Sequence, residues 1–216
     1  MKRPAIWLMV VGGMLLLGAS NSSSTSLNFK DAKVGELPKG WTAAKTGTGE
    51  GSLWKVVADE TSTDGGKALA QVSDKGSGSL FNLCVADGTS YQDLDLSLMF
   101  NAVAGKEDQG GGLVWRFKDA TNYYIARMNP LEDNFRVYKV VDGKRMQLGS
   151  ADVKAEAGKW HMIRITHDGD HIKCYLNGQP YLDVKDGTFK DAGKIGLWTK
   201  ADAQTRFAGI MVEEKK

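Results

Sequence analysis

The chain has 216 residues, of which 42% are hydrophobic and 25% charged, and its formal net charge at pH 7 is +2. This composition is that of one globular domain with enough apolar residues to bury a core without metal or disulfide staples. The weak net charge gives no electrostatic basis for binding nucleic acid or an anionic membrane, because such binding depends on clustered Lys and Arg.

The first residues have the three-part pattern of a secretory signal peptide. Lys2 and Arg3 precede an apolar stretch from 5 to 17, and small residues follow up to Ser20. We expect a signal peptide over 1–20, cleavage after Ser20, and a secreted or periplasmic protein. An uncleaved anchor is the alternative, but the apolar stretch is shorter than the roughly 20 residues that span a bilayer. Without Lys2 and Arg3 the chain has 26 basic and 26 acidic residues, so we expect no nucleic acid or membrane partner for the mature form.

After the signal comes a short polar segment, 21–26, which is too poor in apolar residues to fold alone. We interpret it as a linker and the remainder, 27–216, as a single domain, which we expect to be a monomer. The chain has two cysteines, Cys84 and Cys174. They could form a disulfide in an exported protein or be buried as small apolar residues, and the sequence leaves both open.

From residue 27 onward, short apolar or alternating runs separated by Gly, Asp and Asn predict a chain made of β-strands. The predicted strand segments, in chain order, are 52–58, 67–73, 79–86, 91–103, 111–117, 122–129, 134–141, 160–184, 194–200 and 206–213. Asp142-Gly143, Asp168-Gly169 and Asn177-Gly178 are dipeptides typical of tight hairpin turns. Closely spaced hairpins favour antiparallel sheets, and two such sheets packed face to face form an all-β sandwich.

Several segments, in this order, resemble the concanavalin A-like lectin/glucanase superfamily, whose fold is a jelly-roll of two curved antiparallel sheets. The segments are FKDAKVGELPKGW, GGLVWRF, NYYIARM, WHMIRI with GDHIKCYLNGQPYLDV, GKIGLWT and RFAGIMVE. Within the superfamily the chain is most similar to 3-keto-disaccharide hydrolase type domains, and it also resembles laminin G-like binding modules. The resemblance implies an exported, carbohydrate-active domain with a carbohydrate or glycoside as partner.

The resemblance leaves the activity open between a glycoside hydrolase and a non-catalytic module that binds carbohydrate or another protein. Laminarinase-type relatives carry paired glutamates on one strand, and here Asp93 and Asp95 stand in an ordinary alternating strand without a glutamate. No cofactor is expected. Jelly-rolls of this superfamily often hold a structural calcium ion, which the resemblance would place near Asp31.

Two arginines on adjacent predicted strands are the first candidate ligand contacts. Alternation puts Trp115 on one face of its strand and Arg116 on the other, and it puts Arg127 opposite Tyr124 and Ala126. If the aromatic residues face the core, both guanidinium groups share the outer surface of one sheet. In similar domains the concave sheet binds sugars, and a planar fork of donors suits vicinal hydroxyls. Pairing with surface carboxylates is the alternative.

Further candidates lie on other strands. The ligand-binding candidates besides the arginines are Asn129, Tyr138, Trp198 and Lys200, with Arg136 beside them. Trp198 could instead pack in the core, where we expect Trp115 and Trp160. His161 is the candidate catalytic general base, whereas His167 and His171 flank a turn and are expected to be exposed. We find no metal-ligand motif.

Overall fold

The computed structural model describes residues 24–215, and the expected signal peptide lies outside the described residues. Within this range every regular secondary-structure element is a β-strand, and strands alternate with turns and loops. No helix of the described residues is long and apolar enough to cross a membrane. The strands are β1 Ser24–Leu27, β2 Trp41–Thr46, β3 Trp54–Ala58, β4 Lys67–Gln71, β5 Phe81–Ala86, β6 Leu94–Ala104, β7 Gly111–Asp119, β8 Asn122–Asn129, β9 Asn134–Val141, β10 Lys144–Asp152, β11 Trp160–Asp168, β12 His171–Leu176, β13 Gln179–Lys185, β14 Lys194–Lys200 and β15 Gln204–Glu214.

All ten predicted strand segments contain strands, and three strands, β1, β2 and β10, were not predicted. β1 corrects the expected domain boundary, because Ser24 to Ser26 belong to a strand and not to a linker. These polar residues form a strand because β15 offers them an antiparallel partner, with Ser24 opposite Glu213. A segment without apolar alternation can therefore be ordered by a neighbouring strand edge.

The strands form two antiparallel sheets that pack face to face, as predicted. The first sheet has the order β13-β12-β11-β6-β15-β4-β3, with β1 also paired to β15, and the second has the order β10-β9-β8-β7-β14-β5-β2. Their inner faces share one core. β6 shows the expected alternation, with its inward residues at most 1% exposed: Leu94, Leu96, Leu98 and Phe100.

Two of the three predicted hairpin turns lie at the predicted positions. Asp142 and Gly143 both have positive φ, as do Asn177 and Gly178, which is the geometry of type I′ hairpin turns. The β11–β12 turn consists of Gly169 and Asp170, one residue later than the predicted dipeptide, with positive φ at Gly169.

The second sheet is strongly curved, and its outer face is concave. Arg145 on β10 lies with its guanidinium carbon 5.1 Å from the ring centre of Phe81 on β5. Four strands separate β10 from β5, which in a flat sheet would place them about 24 Å apart. Likewise, the hydroxyls of Thr46 on β2 and Tyr123 on β8 are 2.6 Å apart. The outer-face side chains of distant strands therefore meet over the sheet.

Two sequence expectations about the core need correction. His167 is fully buried, because it faces inward on β11 and accepts a hydrogen bond from Trp115 Nε1 of the opposite sheet at 2.8 Å. Burial, and then the nearby positive charge of Arg116, lower the pKa of His167 to about 4. Trp160 is only half buried, on the outer face of the first sheet, where its indole donates to Thr61. Trp115 is in the core, as expected.

Candidate functional site

Polar and charged side chains converge on the concave outer face of the second sheet, at the end of β8 away from its hairpin with β7. We call this group the polar cluster; its members are Asp108, Arg127, Glu132, Arg145 and Lys200. They come from β8, β10, β14 and two connecting loops, and mutual electrostatic effects link Asp108 to each of the other four. The curvature of the sheet brings them together.

Arg127 is 1% exposed and only partly satisfied by its neighbours. Its Nη2 donates to Glu132 Oε2 at 2.9 Å and to the Tyr138 hydroxyl at 3.4 Å. Its Nε and Nη1 have no hydrogen-bond partner among the described residues. Burial would raise the pKa of Glu132, but the hydrogen bonds from Arg127 and Asn134 hold it below its ordinary value. Arg127 is therefore fixed in place by Glu132, with two nitrogens left to donate hydrogen bonds.

Asp108 is the acceptor of the cluster. It is fully buried, and neither carboxylate oxygen has a hydrogen-bond partner within the described chain. Burial raises its pKa, although the positive charges of Arg127 and Lys200 oppose this. Lys200 Nζ lies 3.6 Å from Asp108 Oδ2. Unsatisfied buried groups are costly, so unpaired donors and acceptors together indicate a site that a polar ligand completes.

Aromatic rings form the wall beside the cluster. The guanidinium carbon of Arg145 lies 4.5 Å from the ring centre of Tyr138, and 5.8 Å from that of Trp198, which is itself in contact with Phe81. Arg145 Nη1 also has no hydrogen-bond partner among the described residues. Trp198 belongs to the outer-face cluster and not to the core between the sheets. The site thus combines apolar rings with charged donors.

The floor between Trp198 and Arg127 carries no side chain. Gly112 pairs with Arg127 on one side and with Trp198 on the other. A Cβ atom on Gly112 would lie 1.9 Å from the Ala126 carbonyl oxygen. The close approach of β7 and β8 requires glycine here, and Gly112 is buried between the two side chains.

Arg116 does not share this surface, so the expected pair of arginines on one outer face is wrong. Arg116 has a φ of 45°, and the pairing of β7 with β8 is irregular after Trp115, which turns the side chain toward the end of the sandwich. There it donates to the carbonyls of Gln92, Phe189 and Gly169 at 2.5 to 3.0 Å and to the Asp93 carboxylate at 2.9 Å. All three nitrogens are bonded, and the side chain ties together segments of both sheets.

The other predicted site residues divide between the two sheets. Asn129, Tyr138, Trp198 and Lys200 lie on the outer face of the second sheet with Arg127, as expected. The expectation that His161 joins them is wrong, because His161 lies at the start of β11 in the first sheet. Its ring nitrogens are 3.0 Å from the Glu156 carbonyl and 3.0 Å from Asn177 Nδ2.

Sequence reasoning missed several members of the site. Asp108 and Glu132 lie in loops without a recognisable motif, and Arg145 lies on the unpredicted strand β10. Asn134, opposite Asn129, holds Glu132 through two hydrogen bonds of 3.1 Å. The alternation of β9 placed Tyr138 on the outer face of the sheet. This was a signal that a neighbouring strand, β10, would bring further side chains to the same face.

Within residues 24–215 there is no group of three or more His, Cys, Asp or Glu side chains arranged for a metal ion. Near Asp31, the carbonyl oxygens of Lys30 and Ala32 each accept a hydrogen bond from Lys67 Nζ at 2.8 Å. A calcium ion that used these oxygens would have to displace the ammonium group. Cys84 and Cys174 are both free and buried, which settles the cysteine alternatives in favour of apolar packing.

The curved two-sheet sandwich, with polar and aromatic groups on its concave face, defines the class as a concanavalin A-like jelly-roll. A family model matches residues 28–213, and the chain belongs to the family described as 3-keto-alpha-glucoside-1,2-lyase-like domain.

Known relatives agree with this class. The chain is 26% identical over 140 residues to a levanase of Bacillus subtilis, in a match that covers 63% of this chain and 20% of the levanase. It therefore spans about a fifth of that relative. Among solved structures it is similar to carbohydrate-binding module CBM66 from Bacillus subtilis, with 25% identity, a TM-score of 0.65, and coverage of 81% of this chain and 96% of the module.

A second solved structure shares the fold alone. It is domain 4 of an extracellular arabinanase from Geobacillus stearothermophilus in complex with arabinotriose. The identity is 14% and the TM-score 0.55, with 88% of this chain and 90% of that chain covered.

Proposed function

We propose that the chain is a carbohydrate-binding jelly-roll domain that holds sugar units at the polar cluster on the concave face of the second sheet. The observation that carries the proposal is the set of buried, unpartnered donors and acceptors. Arg127 and Arg145 have N–H groups to donate, and Asp108 has two oxygens to accept. A sugar hydroxyl both donates and accepts, so vicinal hydroxyls between Asp108 and Arg127 would satisfy both sides.

The charge balance supports a neutral sugar over other polar ligands. The rings of Tyr138 and Trp198 are at most 3% exposed and lie under the Arg145 guanidinium, so hydrogen-bonding groups and not ring faces would hold the sugar. The cluster contains both charge signs, three cations and two carboxylates, so it does not select strongly for an anion. A neutral glycan fits this balance.

We propose a fructan as the first ligand class to test, because the matched relative is a levanase. The N-terminal signal pattern supports a secreted or periplasmic location, where polymeric glycans occur. The arabinan oligomer named for the second structure is a useful comparison ligand, since that likeness shows the fold alone.

The test is calorimetric titration of the mature protein with levan, with inulin and arabinan as comparison polymers. Arg127→Ala should weaken binding about 10- to 100-fold, because hydrogen bonds from a charged donor contribute about 1.5–3 kcal/mol each. The matched control is Arg164→Ala, since Arg164 pairs with Asp95 on the outer face of the opposite sheet. Retained levan binding in Arg127→Ala, or an equal loss in Arg164→Ala, would contradict the proposal.

A catalytic role is the second candidate, favoured by Asp108, whose buried carboxylate has a raised pKa like many acid–base groups. In a 3-keto-glucoside, Asp108 would take the C2 proton, which the neighbouring carbonyl acidifies. The C–H electrons then form a C1=C2 double bond, the C1–O bond breaks, and the leaving oxygen takes a proton from Lys200 or water.

The catalytic candidate is tested with 4-nitrophenyl 3-keto-α-glucoside, by following release of 4-nitrophenol. Turnover by the native protein that disappears in Asp108→Asn would support it. If the protein binds levan but shows no turnover, binding is the only one of the two proposed functions that remains. Turnover that survives in Asp108→Asn would exclude Asp108 as the base.

A further inference from the structure

We propose that Asp202 is a positioning residue of the polar cluster: its carboxylate holds the backbone of residues 106–108 and so fixes the Asp108 carboxylate for ligand binding. The inference rests on the proposed function of the concave face. Asp202 itself is not expected to touch the ligand, because it acts on the far side of the loop from the cluster.

We call the hydrogen bonds between Asp202 and the backbone of residues 106–108 the clamp. Asp202 Oδ2 accepts hydrogen bonds from the backbone N–H groups of Lys106 at 2.7 Å and Glu107 at 3.2 Å. Its Oδ1 accepts from Glu107 at 3.1 Å and from Asp108 at 3.0 Å. Burial opposes ionisation, but these backbone hydrogen bonds lower the pKa of Asp202. Three consecutive N–H groups thus converge on one carboxylate, which stays charged in neutral solution.

Asp108 depends on this clamp because its side chain makes no hydrogen bond within the described chain. Apart from the ion pair with Lys200, its position therefore comes from the backbone. The loop also turns sharply at Gly105, which has a φ of 150° and where a Cβ atom would lie 1.8 Å from the Asp108 carbonyl oxygen. Such a tight loop needs its inward N–H groups satisfied, and Asp202 satisfies three in succession.

The chain order links the clamp to the cluster. Lys200, the last residue of β14, faces the Asp108 carboxylate, and Asp202 follows two residues later on the other side of the loop. Ala201 between them has a φ of 50°, which reverses the chain direction locally. One strand end therefore supplies both the cation opposite Asp108 and the group that holds its backbone.

Asp202 can be replaced without opening the core. It is half exposed and borders a surface cavity of about 440 Å³. The lining includes Gln109, Gln204 and Asp74, all polar. We therefore expect Asp202→Ala to fold and to alter the loop more than the sandwich.

The experiment compares Asp202→Ala and Asp202→Asn with the native protein, and Asp191→Ala is the matched control. Asp191 is an exposed aspartate whose ion-pair partner among the described residues is Lys118. Without ligand, Asp202→Ala should speed hydrogen exchange of the amides of 106–108. With levan, it should weaken binding by about tenfold or more, as expected when groups fixing a charged contact are lost. Asn keeps one acceptor oxygen and should give an intermediate result.

The pKa of Asp108 distinguishes a positioning role of Asp202 from a purely structural one. It can be measured by carboxyl carbon NMR. In the native protein burial raises the Asp108 pKa, and Arg127, Arg145, Lys200 and Glu132 face it. Releasing the loop should admit water and lower that pKa toward the ordinary value of about 3.9. An unchanged titration of Asp108 in Asp202→Ala would overturn the inference, whatever the stability of the variant.

The two proposals fail in distinguishable ways. If the native protein binds none of the polymers, the proposed function fails, while the ligand-free titration still decides whether Asp202 positions Asp108. If the native protein binds levan and Asp202→Ala binds equally well with the Asp108 titration unmoved, the positioning role fails and the binding function stands.

Discussion

Replacing His167 with asparagine should flatten the pH dependence of stability, because it removes a titrating group from the core. Burial and the charge of Arg116 lower the pKa of His167 to about 4, against about 6.5 in an unfolded chain. Below pH 6.5 the unfolded chain binds a proton that the native protein does not. The stability is therefore complete above about pH 6.5 and is lost as the pH falls toward 4. At 1.36 kcal/mol per pKa unit, the loss amounts to about 3 kcal/mol.

The assay is urea unfolding of the native protein and His167→Asn at steps from about pH 7 to about pH 4. Asparagine Oδ1 can replace Nδ1 as acceptor for the Trp115 indole, so the variant keeps the cross-sheet hydrogen bond. We expect the variant to be less stable than the native protein at pH 7, because it loses ring volume. This gap, the difference between the two free energies of unfolding, should shrink by about 3 kcal/mol on acidification. Carboxylates titrate alike in both proteins and cancel in the difference. A gap that stays constant would refute the assignment of a neutral, buried imidazole.

Arg116→Ala should cost about 3–5 kcal/mol in urea unfolding, because it leaves a carboxylate and three carbonyl groups without their shared donor; a loss below about 1 kcal/mol would contradict the structural role of the arginine. Gly112→Ala should abolish levan binding and lower the melting temperature, since its methyl group would collide with the Ala126 carbonyl oxygen at 1.9 Å; full binding would show that the site lies elsewhere. Cys84 and Cys174 should not react with a thiol reagent until the protein is unfolded, because both are buried and burial raises the pKa of each thiol. Reaction of either thiol in the native protein would contradict the buried positions.

Strand alternation predicted the outer-face half of the site where the strands are regular. Arg127 and Asn129 lie outward on β8, and Trp198 and Lys200 lie outward on β14, because neither strand is interrupted over these residues. Along such regular stretches, the alternation of side chains correctly predicts which face of the sheet each residue lies on. It also gave the core, since the inward residues of β6 are all buried.

The rule failed where the backbone departs from the regular pleat. At Arg116 a positive φ and an irregular pairing redirect the side chain, and nothing in GGLVWRF marks the change, since arginine is not a residue that favours this conformation. Arg145 was missed for another reason. β10 is an exposed edge strand without apolar alternation, so its sequence does not read as a strand. Asp108 lies in a loop whose role depends on a partner about 95 residues away, which no local pattern reveals.

The contrast between Arg116 and Arg127 is the reason for proposing that Arg127, and not Arg116, contacts a ligand. Both are 1% exposed, so burial does not distinguish them. Every nitrogen of Arg116 is bonded to protein, whereas two nitrogens of Arg127 and both carboxylate oxygens of Asp108 have no hydrogen-bond partner among the described residues. Each unsatisfied buried group costs about 1–3 kcal/mol, and the chain bears that cost at the polar cluster while satisfying the arginine at the end of the sandwich. A ligand that formed hydrogen bonds with these atoms would gain that free energy on binding. The site is therefore proposed from the unsatisfied atoms and not from the presence of arginine.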